Sequence, residues 1–502
     1  MSKNFPVFIN PNLVIQKGDF LGSGIPFMPH ILAYTVGYLK KYGIKVKVID
    51  SFAENPFKLK KRNGFYWQGI SIEKIIKKIN KKQKSIFIYA SAITNYNFNL
   101  ELIKEIRKNF SKIKIIVLAN TQAVTAFNII PVSREILTAG ANFIVYNNIE
   151  KTTKKLIENN FSSRGMKNLI YIESNKTVTT PMSFKIGNTN ELTFPAWEEF
   201  PLKNYWKLGY SHGPVEEKFL AILTSYGCPY QCKFCVNPSV NKSRWQPKPA
   251  KFVYQEMNYL FKKFGVREFH VEDLNPTIDK ERIKKLCHLI IKNNLKIKWK
   301  LASGTKAETL NPQTLKLMRD AGCNYISISP ETGSEKVLKL MNKQFDYKHA
   351  EKIMRTCKKL GIKTQACFVL GFPGEKQKDL WKTEQYIEKI TKLGVDEIAL
   401  FIVTPLPGSY LFGRLKGYKN LSSLTFSPKW RKDYDSLGKF RIRLYFKFVL
   451  WKIIYHPLKI FQQGVNFFRR EFGTKMEMIP YRIIRFNFLL LQNKLKKSFF
   501  LD

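Results

Sequence analysis

The sequence predicts an α/β protein: a doubly wound, Rossmann-like parallel sheet, then a partial (β/α)6 TIM-like barrel, then a basic helical tail. Short Val/Ile-rich runs alternate with helical periods from residue 1 to about 160, and again from Phe219 to about Val403. Continuous apolar runs of this kind suit strands buried on both faces, with helices as crossovers. Beyond about Lys416 the alternation stops and Lys/Arg mix with aromatics. At 502 residues the chain exceeds one ordinary domain, and it divides into 1–160, a connector 161–212, 213–412 and 413–502.

In the first segment, strands are expected at Pro6–Asn10, Lys45–Asp50, Ser85–Ala90, Lys114–Leu118 and Asn142–Tyr146, with periodic helices at Pro29–Tyr42, Ser71–Asn80 and Leu100–Phe110. Ligands of such sheets bind at the carboxyl ends of the strands. Residues 161–212, rich in proline and aromatics, read as a loose connector. The second alternation places strands at Phe219–Ser225, Glu268–Glu272, Lys298–Ala302, Tyr325–Ser329, Thr364–Leu370 and Glu397–Val403. Helices fill the gaps: Ala250–Phe264, Asp279–Asn293, Pro312–Ala321, Tyr347–Leu360 and Lys378–Leu393. Six such units make a partial barrel with its chemistry at the carboxyl ends of the strands.

Composition narrows the class. All seven cysteines lie between Cys228 and Cys367, which argues against a secreted disulfide framework and for a reducing cytoplasm. The first residues show no signal-peptide pattern, and no uncharged apolar window of roughly 18 residues predicts a spanning helix. Lys+Arg number 85 against 38 Asp+Glu, a net charge of +47. Such a field favours anionic partners. The lysines are spread along the chain, so a global compositional bias explains the charge equally well.

The chemistry is concentrated at Cys228, Cys232 and Cys235, in Gly-Cys-Pro-Tyr-Gln-Cys-Lys-Phe-Cys, immediately after the first barrel strand. Three close thiolates can hold an iron–sulfur cluster or a soft metal. A four-iron cube held by three thiolates keeps one iron open for another ligand. The triplet alone also suits a zinc site completed by His212 or a distant cysteine, or thiols without a metal. Polar residues mark the later strand ends: Glu272 and Asp273, Ser303 and Lys306, Glu331 and Gly333, Gly371 to Glu375, and Thr404 to Ser409. Singly these are turn chemistry.

In order, the cysteine spacing with Phe234 before the last cysteine, the Ser-Pro-Glu-Thr-Gly-Ser-Glu-Lys-Val-Leu-Lys-Leu-Met-Asn-Lys stretch, the Gly-Phe-Pro-Gly-Glu turn and the late Pro-Gly-Ser turn resemble the radical S-adenosylmethionine (SAM) superfamily, in its branch with an N-terminal cobalamin-binding domain. The resemblance covers about residues 1–410. It implies that Cys228, Cys232 and Cys235 ligate a [4Fe–4S] cluster and that Phe234 lies against the adenine of SAM. Glu272 and Asp273 meet its amino group, Ser303 and Lys306 its carboxylate or ribose, and Glu331 its ribose or amino group. Many members carry arginine near Lys306, and lysine lacks the bidentate fork. Cys287, Cys323, Cys357 and Cys367 are expected to be buried apolar thiols, and His270 and His288 structural.

The first segment departs from the family pattern. It lacks Asp-x-His-x-x-Gly, and its one histidine is His30. Ala119 and Asn120 replace a usual Gly-Gly, and Asn147-Asn148 a usual Gly-Glu, so side chains there narrow a cobalamin groove. The function implied is radical cleavage of SAM followed by cobalamin-dependent methyl transfer to an unactivated carbon. Oxidation, cyclisation or rearrangement without cobalamin, and a non-enzymatic basic zinc module, stay open. A flavodoxin- or ferredoxin-like reductant and a small-molecule or lipid substrate are implied. The tail's mixture of Lys/Arg and aromatics suits peripheral contact with the inner membrane face more than nucleic acid.

Overall fold

The computed structural model describes residues 5–19, 21–184 and 191–498. The first region runs β1 (Val7–Asn10), β2 (Leu13–Gln16), α1 (His30–Lys41), β3 (Lys47–Asp50), β4 (Leu59–Arg62), β5 (Phe65–Gln68), α2 (Ile72–Lys78), β6 (Ser85–Ala90), α3 (Tyr96–Asn109), β7 (Lys114–Ala119), α4 (Ser133–Thr138), β8 (Phe143–Val145), α5 (Ile149–Glu158), β9 (Leu169–Glu173) and β10 (Lys176–Thr179). Its sheet has the order β10-β9-β8-β7-β6-β1-β3. The strands from β8 to β3 are parallel, with Val7–Ile9, Ile86–Ile88 and Ile115–Leu118 fully buried between helices.

Two features differ from expectation. Residues 169–179, read as connector, form β9 and β10, an antiparallel extension of this sheet. A separate antiparallel sheet, β2-β5-β4, stands beside it. Its β4–β5 turn is Asn63-Gly64, both at positive φ, the primed turn that matches strand twist.

The second region runs α6 (Leu202–Leu208), β11 (Phe219–Ile222), β12 (Ser225–Gly227), α7 (Asn237–Val240), β13 (Trp245–Pro247), α8 (Ala250–Phe264), β14 (Glu268–Val271), α9 (Lys280–Lys292), β15 (Lys298–Thr305), α10 (Pro312–Asp320), β16 (Cys323–Glu331), α11 (Glu335–Leu340), α12 (Tyr347–Leu360), β17 (Lys363–Leu370), α13 (Gln377–Leu393) and β18 (Glu397–Ile402). The strands β11-β14-β15-β16-β17-β18 form one parallel sheet in that order, a six-stranded partial barrel with β11 and β18 at its edges. At its amino end the buried Lys300 ammonium pairs with Glu268 and Glu216 at 3.0 and 2.8 Å.

The C-terminal region is α14 (Tyr434–Tyr455), α15 (Pro457–Arg469) and α16 (Lys475–Ser498). One face of α14, Leu437, Phe440, Leu444 and Phe448, is buried. Between α15 and α16 the chain crosses the open side of the barrel. The Phe472 amide donates to the Val215 carbonyl ahead of β11, and the Met476 amide donates to Glu397 at the start of β18. From there α16 reaches the first region, where Phe486 and Leu489 pack with Ile15 and Leu59.

Candidate active site at the barrel mouth

The cysteine loop is held before it begins. Beyond β11, the Thr224 amide and hydroxyl both donate to Asp273 at 2.7 Å, and Ser225 donates to the same carboxylate. The Arg282 guanidinium donates to the Thr224 and Pro276 carbonyls at 2.9 and 2.6 Å. Gly227 then turns at φ +74°, and a Cβ there would lie 2.1 Å from the Arg244 carbonyl oxygen, so only glycine fits. Farther on, the Lys233 amide donates to Met341 and its carbonyl accepts from Tyr410, tying the loop to the later strand-end segments.

Cys228, Cys232 and Cys235 are all half-buried on this loop. The Asn237 side chain donates to the Cys228 carbonyl at 2.6 Å, and its amide donates to Cys235 Sγ at 3.4 Å. Burial pushes the Cys228 thiol up to about 11 and the Cys235 thiol to about 12, while Lys343 favours the thiolate at both. The donor set fits a cluster: three thiols on one loop, an amide directed at sulfur, and cations close by. Among the described residues no three His, Cys, Asp or Glu side chains are gathered for a single ion. A tetrahedral zinc site would need a fourth ligand beside the three thiols. His212, considered as its fourth ligand, instead lies 2.7 Å from Glu272 through Nδ1.

Around this loop the structure places the other expected residues. Glu331 ends β16 in the left-handed region at φ +68°, a conformation a non-glycine residue holds only where its surroundings enforce it. Its carboxylate accepts from the buried Lys343 at 2.8 Å. Burial opposes charge on Lys343, but Glu331 and Cys232 hold it protonated, above its ordinary range. Lys306 lies 4.1 Å over the Tyr230 ring and donates to the Gln344 carbonyl at 2.9 Å. Phe234 packs on Val337, Met341, Val369 and Phe372, an apolar floor beneath the loop. Ser303 lies 3.4 Å from Glu272. Burial works against ionised Glu272, yet the His212 ring at 2.7 Å holds its carboxyl down, to about 2.

Asp273 does not share this environment. Its oxygens are taken by Thr224 and Ser225, so it holds the loop rather than facing the mouth. Cys287, Cys323 and Cys357 are buried as expected. Cys367 differs: its sulfur lies 3.3 Å from the Ser327 hydroxyl and 3.4 Å from Gln365, in a polar barrel interior. The half-buried Lys475 from α16 donates there, to Ala302 and Gln365 at 3.0 and 3.3 Å. Sequence reading missed Lys475 and Lys343. The only signal for Lys343 was its place at the end of the Leu-Met-Asn-Lys stretch, and Lys475 had none.

The strand ends of the first region face this mouth. Gln122 accepts from the Gly227 amide at 2.7 Å and donates to Asn241 at 3.0 Å, and Asn147 donates to the Val240 carbonyl at 2.9 Å. Asn120 turns back to the Ser91 carbonyl, and Asn148 takes φ +45°, which asparagine tolerates in place of glycine. Behind these amides lies a cavity of about 60 Å³ lined by Tyr34, Tyr38, Gln122, Asn147, Glu150 and Tyr226. One Glu150 carboxylate oxygen in its wall is buried without a partner. Polar amides, an orphaned oxygen and tyrosine walls suit the amide-rich rim of a corrin. The width, room for roughly two waters, suits it only once the crossing amides release.

Residues 222–387 match the radical SAM superfamily model. The chain is 26% identical over 390 residues to an uncharacterised methyltransferase of Pyrococcus horikoshii, covering 77% of each. It is 22% identical to the cytidylyl-2-hydroxyethylphosphonate methyltransferase of Streptomyces wedmorensis, covering 81% of this chain and 80% of that one. Among solved structures, the radical SAM methyltransferase TsrM of Kitasatospora setae superposes with a TM-score of 0.63 at 16% identity, covering 82% of this chain and 75% of TsrM. The cobalamin-dependent radical SAM enzyme OxsB gives 0.61 at 17% identity, covering 88% of this chain and 56% of OxsB.

Proposed function

We propose, on the premise that this chain carries a radical SAM domain over residues 222–387, that it is a cobalamin-dependent methyltransferase acting on an unactivated carbon. The observation that carries the reading is the three-cysteine loop at the barrel mouth, flanked by the Glu331–Lys343 pair. Relatives named methyltransferases support the transfer itself.

When bound, the cluster supplies the electron that splits SAM into methionine and a 5′-deoxyadenosyl radical, and cobalamin supplies the methyl group. The residues of the chain do the rest. Cys228, Cys232 and Cys235 hold the cluster, with Asp273 and Gly227 fixing the loop's entry. Lys306 and Lys343 offset the negative charge of the thiolates and take the SAM carboxylate. Glu331 accepts from ribose or the amino group. Glu272, kept ionised by His212, accepts from the amino group beside Ser303. Phe234 and its apolar floor lie under the adenine. The buried mouth keeps water from a radical that would otherwise be quenched.

The substrate is a small molecule or a lipid, the reductant a flavodoxin or ferredoxin, and the compartment the cytoplasm. A second reading, radical oxidation, cyclisation or rearrangement without cobalamin, is favoured by the amides of Gln122 and Asn147 across the cleft. Anaerobic reconstitution with iron, sulfide and hydroxocobalamin, followed by dithionite and methyl-labelled SAM, separates the readings. Retained cobalamin with 5′-deoxyadenosine supports methyl transfer. 5′-Deoxyadenosine without retained cobalamin supports the second reading, and a protein that holds no iron refutes both.

A further inference from the structure

We propose that α14 and α15 dock this protein on an anionic lipid surface. Helix α14 is apolar on two faces. One, Leu437 to Phe448, is buried against the barrel. The other carries Ile442, Phe446, Leu450 and Ile453 at helical spacing, all exposed. Helix α15 buries none of its side chains. It presents Leu458, Phe461 and Phe468 at 81%, 72% and 85% exposure, and Phe446 on α14 stands at 73%. Isolated exposed apolar residues are ordinary, but a run of this size on adjoining helices marks an interaction surface.

The charge around it selects the occupant. From residue 436 to 470 the chain has eight Lys/Arg and no Asp or Glu; Arg441 and Lys452 are buried, Arg443 and Lys447 meet Glu384, Lys459 meets Asp396, and Lys439, Arg469 and Arg470 stand at the surface. Lys439, Arg443 and Lys447 alternate with Ile442, Phe446 and Leu450 along one shallow groove. Apolar side chains flanked by cations, on helices that are not long and apolar enough to cross a membrane, describe a helix lying in the headgroup plane. Among the described residues Glu384 is the one acidic side chain in an ion pair at this groove, against Arg443 and Lys447; a purely hydrophobic protein interface would not need the excess of cations that remains, and the +47 chain repels a second copy of itself.

The test is flotation of the full chain with phosphatidylcholine vesicles, with and without phosphatidylglycerol. Flotation is expected with the anionic vesicles and is expected to weaken severalfold in high salt. The triple variant Phe446→Ser, Phe461→Ser, Phe468→Ser should lose roughly tenfold or more of that binding, with an unchanged melting curve because the side chains are exposed. Phe468→Ser alone, at the end of α15, serves should the triple variant misfold, and should lose part of the binding. No flotation with either vesicle, or flotation unaffected by both variants, overturns the proposal. So does a dimer in sedimentation that the variants dissociate, or an RNA complex that they abolish in the absence of flotation.

Discussion

At the scale of single residues, buried charges decide which substitutions matter. Cys228→Ala removes one of three thiols that a cluster needs. The expected result is loss of bound iron and of SAM cleavage with the fold intact, read by iron analysis and 5′-deoxyadenosine assay. Lys343→Met leaves Glu331 buried without its cation, which costs about 3–5 kcal/mol. The double variant with Glu331→Gln should recover most of that loss in chemical denaturation, because no unpaired charge remains. Glu397 gives a pH signature. Burial pushes its carboxyl up to about 7, with Lys475 and Tyr325 pulling it down. The native state therefore keeps a proton that the unfolded chain releases near 4.5. This group's stabilisation is complete below that pH and is lost as pH rises through 7, a swing of about 3 kcal/mol. The melting temperature of the wild type should fall more steeply from pH 5 to pH 8 than that of Glu397→Gln; parallel curves would refute the assignment.

At the scale of elements, α16 closes the barrel. It begins at Lys475 inside the lumen and ends on the small sheet of the first region. Phe472, Met478, Phe486 and Leu489 are buried along this path. Each is worth about 1.5–3 kcal/mol, a sum comparable with the stability of a whole domain. A chain truncated after Arg470 should lose its cooperative melt and be cut rapidly by protease; a truncated chain that melts like the full one would show that α16 is an appendage. The same element marks what sequence reading can reach. Parallel strands such as β6 and β7 were legible because burial on both faces leaves a continuous apolar run. The β4 strand, Leu-Lys-Lys-Arg, carries no such run, and its Asn63-Gly64 turn was passed over. The β9–β10 hairpin turns on Ser174 and Asn175 at positive φ, a short signal inside a stretch that otherwise reads as loop. In the site, local spacing announced the cysteine loop. Asp273 was marked by type, but only its contacts show that it clamps the loop. Lys475 and Gln122 come to the mouth from more than 100 residues away, by topology that no local pattern encodes.

At the scale of the whole molecule, the two α/β regions are joined where both present strand ends, and side-chain amides form part of the joint. Gln122 and Asn147 contribute three hydrogen bonds across it, to Gly227, Asn241 and Val240. Each is worth about 0.5–1.5 kcal/mol net, so the seam holds the cavity beneath it narrow at modest energy. A ligand bound between the regions must break these bonds, and its apparent affinity falls by the fraction of molecules in which they are open. Glycine at both positions removes the crossing side chains, and at 147 it also restores the glycine of the family pattern. The double variant Gln122→Gly, Asn147→Gly should therefore retain more cobalamin after desalting than the wild type, roughly tenfold more if opening costs about 1.4 kcal/mol, with the melting temperature lowered by a few degrees. Visible absorbance of the desalted protein reads the first quantity directly. If neither protein retains cobalamin while both hold iron and cleave SAM, the crossing amides are not what excludes it, and the first region serves as a lid over the mouth.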